Sequence, residues 1–295
     1  MRVLVKFGHR ELVGIVICQQ SGSETPENKL KSVTCLFEEE TALPTSILKL
    51  LQWCATYYCH PLGDCIHTAL PGALRQKKHL SEIKVIKWSR TNKVFEGKSN
   101  ATKQKAILQT IQEQTNGLWQ ESLKALGYTS TQLNNLEKAG YLTRQTFDPL
   151  SATAEQYTTP SVITLNEAQQ KIALGASKNL GHFHVSLLQG VTGSGKTEIY
   201  IDIVRKILRQ GKQALILIPE INLTPQTLGR FQTQLATPIG FIHSGMSSRE
   251  KMTTWSLAKQ GSAKVIIGTR SSIFTPFKKL GLIIVDEEHD ASYKQ

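Results

Sequence analysis

The run Gly190-Val191-Thr192-Gly193-Ser194-Gly195-Lys196-Thr197 brings together the parts needed to hold a chain of phosphates. Its spacing fits the G-x-x-x-x-G-K-[ST] pattern of a P-loop. Glycines let the backbone curl until its N–H groups face phosphate oxygens, and a helix starting there adds favourable dipole charge. Lys196 is then placed to reach the β- and γ-phosphates, and the Thr197 hydroxyl to hold Mg²⁺. Such a loop needs a strand before it and a helix after it. The apolar run Phe183 to Leu188 predicts the strand, and a helix is expected from Lys196.

A second constellation is Leu282-Ile283-Ile284-Val285-Asp286-Glu287-Glu288-His289. An apolar strand ending in acids places them at the carboxyl edge of a sheet, where open α/β sheets bind ligands. Asp286 is expected in the Mg²⁺ shell. Glu287 is expected to orient or deprotonate an attacking water. Lys196, Asp286 and Glu287 are therefore the predicted catalytic residues. A strand followed by acids is common; in the D-E-x-H form, downstream of a P-loop, it points to helicase superfamily 2. Gln169, just upstream in Leu165-Asn166-Glu167-Ala168-Gln169, is the predicted adenine reader, because an amide can pair with both N6 and N7. Thr269, Arg270 and Ser271 form, with the Pro219-Glu220 and Leu223–Gln226 turns, a set of loops suited to the phosphates of a strand.

The elements that must position these residues read as an α/β alternation over 160–295. Helices are expected from Asn166, from Lys196, over Pro225–Leu235 and over Ser248–Lys259. Strands are expected at Phe183–Leu188, Gln213–Ile218, Ile239–His243, Ala263–Ile267 and Leu282–Val285. Strands alternating with helices predict a parallel sheet covered on both faces, a RecA-like lobe.

Two smaller regions precede it. Residues 1–75 open with two β-rich runs around Gly8, a third at Lys31–Phe37 and a helix over Ser46–Tyr58 that ends before Pro61 and Gly63. Residues 76–150 hold a basic linker and three helical patterns, Lys103–Gln114, Trp119–Leu126 and Ser130–Ala139, then a strand from Tyr141. That order suggests a winged helix. Residues 150–161 read as a linker.

The chain of 295 residues has a formal charge of +12. Between Arg75 and Lys105 it carries ten Lys or Arg against Glu82 and Glu96, a stretch suited to phosphate backbones or to a solvated linker. No apolar run is long enough to span a bilayer, and the N-terminus is not a secretory signal. A cytoplasmic protein with no membrane partner is expected. Five cysteines, with no C-x₂-C pair, argue against a disulfide framework and a zinc site.

Taken together, Gly190–Glu198, Pro219–Gln226, His243–Gly245, Ile267–Ser271, Phe274–Phe277 and Asp286–Lys294, with Trp53–Asp64 and Ala69–Pro71 upstream, resemble the PriA family of replication-restart helicases over nearly the whole chain. The resemblance implies a 3′-DNA-end-binding domain, a winged helix and two RecA-like lobes. It implies ATP- and Mg²⁺-dependent 3′→5′ unwinding at stalled forks, with primosome proteins and single-stranded-DNA-binding protein as partners. In the family, a glycine and a lysine help pocket the 3′ nucleotide; Gly8 and Lys31 match those positions. The family's opening Phe-Asp strand, second lobe with its arginines, and zinc-binding insertion have no counterpart here. The sequence is therefore expected to be an incomplete PriA-like chain that is not by itself a working motor. A non-catalytic DNA- and ATP-binding fragment is the alternative, and the D-E-x-H box disfavours a P-loop kinase.

Overall fold

The computed structural model describes residues 1–37, 42–77, 85–95, 102–112, 117–120, 123, 127–147, 165–191, 193–222, 225–235, 237 and 239–293. Thr192, Leu223, Thr224, the predicted linker at 150–161, much of the basic stretch and most of the predicted helix at 119–126 lie outside the described residues. The chain divides into two compact units, Met1–Ala152 with Gly245–Thr253, and Thr153–Ser244 with Thr254–Gln295.

In the first unit, β1 (Arg2–Phe7) and β2 (Arg10–Ile15) form a hairpin whose register closes on Phe7 opposite Arg10. That leaves a two-residue turn, and Gly8 meets its geometry with a φ of 60°. β3 (Val33–Leu36) pairs antiparallel with the other edge of β1, completing the order β2-β1-β3. Arg2 is fully buried. Its guanidinium donates to the Leu74 carbonyl at 2.7 Å and lies 4.9 Å from the centre of the Phe37 ring. Burial pulls its pKa down to about 10.

Helix α1 (Thr45–Tyr57) ends where Cys59 adopts a φ of 50°. The helix ends before Pro61 and Gly63, where it was expected to stop, and Pro61 also stands at the N-cap of a second helix, α2 (Leu62–Ala69). Proline is tolerated at a helix start because the N–H it lacks would have no intrahelical partner there. The five cysteines are all free.

The same unit holds β4 (Val85–Arg90), β5 (Leu118–Trp119) and β6 (Leu142–Phe147), an antiparallel sheet of order β5-β4-β6, with helices α3 (Thr102–Gln112) and α4 (Ser130–Lys138). Thr129 caps α4 in a reciprocal box with Gln132, which satisfies two otherwise orphaned N–H groups. The basic stretch is thus not a linker throughout. Its Val85–Arg90 segment is a central strand, and Trp88 is buried among Ile107, Leu108, Ile111, Leu133 and Leu136. Lysine and arginine flanking a single tryptophan concealed that strand from a charge-based reading.

The second unit carries α5 (Glu167–Ser177), α6 (Lys196–Arg209), β7 (Gln213–Leu217), α7 (Pro225–Leu235), β8 (Ile239–Ile242), the part of α8 (Ser248–Gln260) from Thr254 on, β9 (Val265–Gly268) and β10 (Leu280–Val285). Its sheet is parallel, in the order β10-β7-β9-β8. Every residue of β7 is buried. Ala214 and Ile216 join Ile201, Val204 and Phe231 in one core cluster, while Leu215 and Leu217 join Ala258, Ala263 and Ile266 in another. Both faces of the strand are therefore covered, as a parallel sheet requires. Gln213 is buried too, but its amide donates to the Ala258 and Ala263 carbonyls at 3.0 and 2.7 Å and accepts from the Lys279 N–H at 2.9 Å.

The expected strand Phe183–Leu188 does not form. Phe183, Val185 and Leu187 are 97%, 77% and 79% exposed. A single apolar run becomes a strand only when a neighbour satisfies its N–H and C=O groups, and none of the described strands pairs with it. Leu188 still packs against the helix–sheet core.

Candidate functional site

Sheet register sets the ends of the strands in one row. The Asp286 N–H donates to the Leu217 carbonyl at 2.9 Å, Ile218 N–H to Gly268 at 2.9 Å, and Thr269 N–H to Ile242 at 3.1 Å. Asp286, Pro219 and Thr269 therefore each begin the loop leaving a carboxyl end, and the chemistry-bearing residues predicted for those loops share one edge. Gly268 is needed there because a Cβ would strike the Ile242 carbonyl and the Ser272 hydroxyl.

The predicted phosphate loop lies just before α6. Gly193 and Gly195 adopt φ values of 80° and 82°, the left-handed region that other L-residues rarely enter. Gly195 is also the N-cap of α6, with no side-chain cap, so the first N–H groups of the helix are available to an anion. The Lys196 ammonium turns back along the loop, donating to the Gly190 carbonyl at 2.9 Å and the Val191 carbonyl at 3.4 Å. Ser194 lies between the two glycines, and Thr197 is in the first turn of α6.

Gln169 reaches this loop from α5. Its Oε1 accepts from the Asn166 N–H at 3.0 Å while Nε2 donates to the Ser194 carbonyl at 3.3 Å. The amide predicted to read adenine thus also caps its own helix and braces the phosphate loop. A Cβ on Gly195 would displace that amide, and the φ of 82° already favours glycine there.

The two acids complete the cluster. Glu287 Oε1 is 3.9 Å from Lys196 Nζ, and Glu287 Oε2 is 3.4 Å from His289 Nε2. Glu287 has a φ of 49°, a strained conformation for a residue with a side chain. Asp286 accepts a hydrogen bond from the Tyr200 hydroxyl at 3.1 Å. Burial pushes the Asp286 carboxyl above the usual range, and the Glu287 charge adds to that; the Tyr200 hydrogen bond, the Lys196 ammonium and the Glu287 backbone amide pull the other way. A carboxylate removed from water and crowded by a second one is suited to a cation that restores the balance. The left-handed glycines, the uncapped helix start, Lys196 and Asp286 thus fit a nucleotide polyphosphate with Mg²⁺.

Tyr200 was not legible as a site residue. Its place four positions after Lys196, on one face of α6, was the available signal. The Glu198–Arg230 ion pair between α6 and α7 is a second contact beside the loop with no sequence signal. Thr269, Arg270 and Ser271 sit at the carboxyl end of β9 and the start of a 3₁₀ turn, Arg270–Phe274, two strands away from β10.

In the first unit, Gly8 lies in a cavity lined by Lys6, His9, Arg10, Glu11, Leu12 and Lys77. Lys77 Nζ is 3.2 Å from Glu11 Oε2. Lys31, expected to share a pocket with Gly8, is exposed and not part of this lining. Among the described residues, no three His, Cys, Asp or Glu side chains gather as a metal site, and no helix is long and apolar enough to cross a membrane.

Comparison with known proteins adds names to these features. Residues 1–71 match the 3′DNA-binding domain (3′BD) of PriA, and residues 166–295 match the DEAD/DEAH box helicase family. The replication restart protein PriA of Haemophilus influenzae is 37% identical over all of this chain, which covers 41% of that protein. The PriA of Chlamydia pneumoniae is 34% identical over 96% of the chain and 39% of that protein. The PriA of Bacillus subtilis is 28% identical over the whole chain and 46% of its own length. The chain therefore spans about two fifths of the length of these curated relatives.

Proposed function

The chain belongs to the PriA family of replication restart proteins, and from that premise we propose that it provides the nucleotide-binding lobe and DNA-end-binding domain of an ATP-dependent 3′→5′ DNA helicase acting in replication restart. The observation that carries this reading is the convergence of Lys196, Asp286 and Glu287, from the start of α6 and the end of β10, on one sheet edge.

In this reading the loop amides of Gly190 to Gly195 and the Lys196 ammonium bind the phosphates of ATP, and Gln169 orients the adenine. Thr197 and Asp286 hold the Mg²⁺, which supplies positive charge against the phosphate oxygens. Glu287 orients the attacking water and accepts its proton. Thr269, Arg270 and Ser271 hold the backbone of one DNA strand from the same edge, so that nucleotide and strand bear on a single sheet. The Gly8 cavity, with Lys6, Arg10 and Lys77 around it, takes a DNA end.

The sheet β5-β4-β6 with α3 and α4 serves as the winged helix. Primosome proteins and single-stranded-DNA-binding protein are the partners, the family's zinc ions lie outside these residues, and the protein works in the cytoplasm. ATP binding needs only residues of this lobe, because the phosphate-loop amides, Lys196, Thr197 and Asp286 all lie within it. Mg²⁺-ATP binding and DNA-stimulated ATP hydrolysis test the reading. Failure of Mg²⁺-ATP to bind would overturn the nucleotide site, and hydrolysis left unchanged by Glu287→Gln would overturn the role of Glu287.

A further inference from the structure

Tyr200 is a buried aromatic whose hydroxyl, among the described residues, has one hydrogen-bond partner of pointed chemistry. The residue is 9% exposed and belongs with Ile201, Val204, Ile216 and Ile284 to the core cluster formed by α6 and the sheet. Its hydroxyl donates to Asp286 Oδ1 at 3.1 Å. A phenol withdrawn from water needs a partner for its O–H, and here the partner is the carboxylate at the end of β10.

Asp286 is held at two further points. Its N–H donates to the Leu217 carbonyl at 2.9 Å, and its own carbonyl accepts from the Tyr293 hydroxyl at 3.1 Å. With main chain and Oδ1 both fixed, the carboxylate cannot rotate freely. Its second oxygen has no side-chain hydrogen bond among the described residues. Tyr200 is also one helical turn from Thr197 and Lys196, on the same face of α6. The contact therefore ties the helix that carries the loop's lysine and threonine to the strand end that carries the acid.

We propose that Tyr200 is a positioning residue for the metal that accompanies ATP: its hydroxyl fixes Asp286 through Oδ1, leaves the other oxygen for the cation, and sets the spacing between the Thr197 turn of α6 and the end of β10. The inference rests on the reading of Asp286 as a metal-binding carboxylate. Groups that orient a ligand's side chain from behind lower metal affinity by about 10- to 100-fold when removed, without touching the metal themselves.

Calorimetric titration of the full chain with ATP, in EDTA and at a series of Mg²⁺ concentrations, tests it. Tyr200→Phe removes one oxygen atom and keeps the ring. The expected result is unchanged ATP affinity in EDTA and a midpoint for Mg²⁺-dependent tightening raised about 10-fold. Tyr200→Leu, which removes the ring packing, weakens binding in both conditions and lowers the melting temperature. Adding Tyr200→Phe to Asp286→Asn has no further effect on the Mg²⁺ dependence, because the carboxylate it orients is already gone. A Tyr200→Phe midpoint equal to that of the wild type, or an equal loss with and without Mg²⁺, overturns the proposal while leaving the role of Asp286 intact. If the wild type itself shows no Mg²⁺-dependent tightening, the reading of Asp286 fails and the proposal with it.

Discussion

Lys196 Nζ lies 2.9 Å from the Gly190 carbonyl and 3.9 Å from Glu287 Oε1, so the lysine of the phosphate loop is gripped by its own loop and by the acid of the opposite element. Phosphate oxygens would compete for the same ammonium. Lys196→Ala is therefore expected to lower Mg²⁺-ATP affinity on the order of 100-fold, the weight of one or two hydrogen bonds to a charged group. It is expected to cost little stability, since the Glu287 contact is long and partly solvated. Calorimetry giving equal heats for variant and wild type would contradict the first statement, and a large drop in unfolding free energy the second.

Glu287 combines a chemical role with a strained backbone. Its φ of 49° costs about 1 kcal/mol for any residue with a Cβ. Glu287→Gly should accordingly be more stable than Glu287→Ala by about 1 kcal/mol, the reverse of the usual order of these two residues. Urea unfolding of the pair measures this directly; an alanine variant at least as stable as the glycine one would mean that the left-handed conformation is not held in solution.

The Gly8 cavity makes an electrostatic prediction. Lys6, Arg10 and Lys77 line it, and Glu11 is the opposing charge beside Lys77. Changing all three to glutamine should reduce the slope of log affinity against log salt for single-stranded DNA by about 2, from counterion release of roughly 0.7 per phosphate contact. An unchanged slope would move the DNA contacts away from this hairpin and onto other basic residues.

Arg2 is a structural counterpart to these exposed cations. Its side chain is buried, satisfies the Leu74 carbonyl and lies over Phe37. Arg2→Ala leaves that carbonyl orphaned and opens a void, and is expected to cost about 2–4 kcal/mol in denaturant unfolding. A cost below about 0.5 kcal/mol, typical of surface positions, would show that Arg2 is solvated.

Where residue type and spacing act through local backbone chemistry, the sequence was readable. The Gly-x-Gly-Lys-Thr end of the loop dictates left-handed glycines and an open helix start, and the structure has both. The four strands β7 to β10 came within a few residues of expectation because continuous Val/Ile/Leu runs bounded by polar residues have few other uses. Tyr200 could not be found this way: its partner is 86 residues away, and only the packing of α6 on the sheet brings phenol and carboxylate together. The strand β4 was hidden by its charges, since only Ile86 and Trp88 mark the face packed on the core and Lys87 and Arg90 alternate with them. Pro61 read as a stop because proline signals a helix end and a helix beginning with the same letter.

The segment Phe183–Leu188 gives the sharpest contrast between pattern and packing. Its apolar residues at 183, 185 and 187 point to solvent, while Leu188 packs against the cluster formed by α5, α6 and the sheet. If the segment is unpaired, its outward residues contribute nothing to the folded state beyond what they contribute unfolded. The combined change Phe183→Ser, Val185→Thr and Leu187→Ser should then leave the melting temperature within about 2 °C of the wild type, as for other exposed sites. It should also reduce dye binding by exposed apolar surface and slow aggregation, because a contiguous apolar run open to water invites association. Leu188→Ala, by contrast, removes side-chain atoms from a packed core and should cost about 1–3 kcal/mol. Should the triple variant lose as much stability as Leu188→Ala, the outward residues must be buried in solution, and the segment would be a paired strand after all.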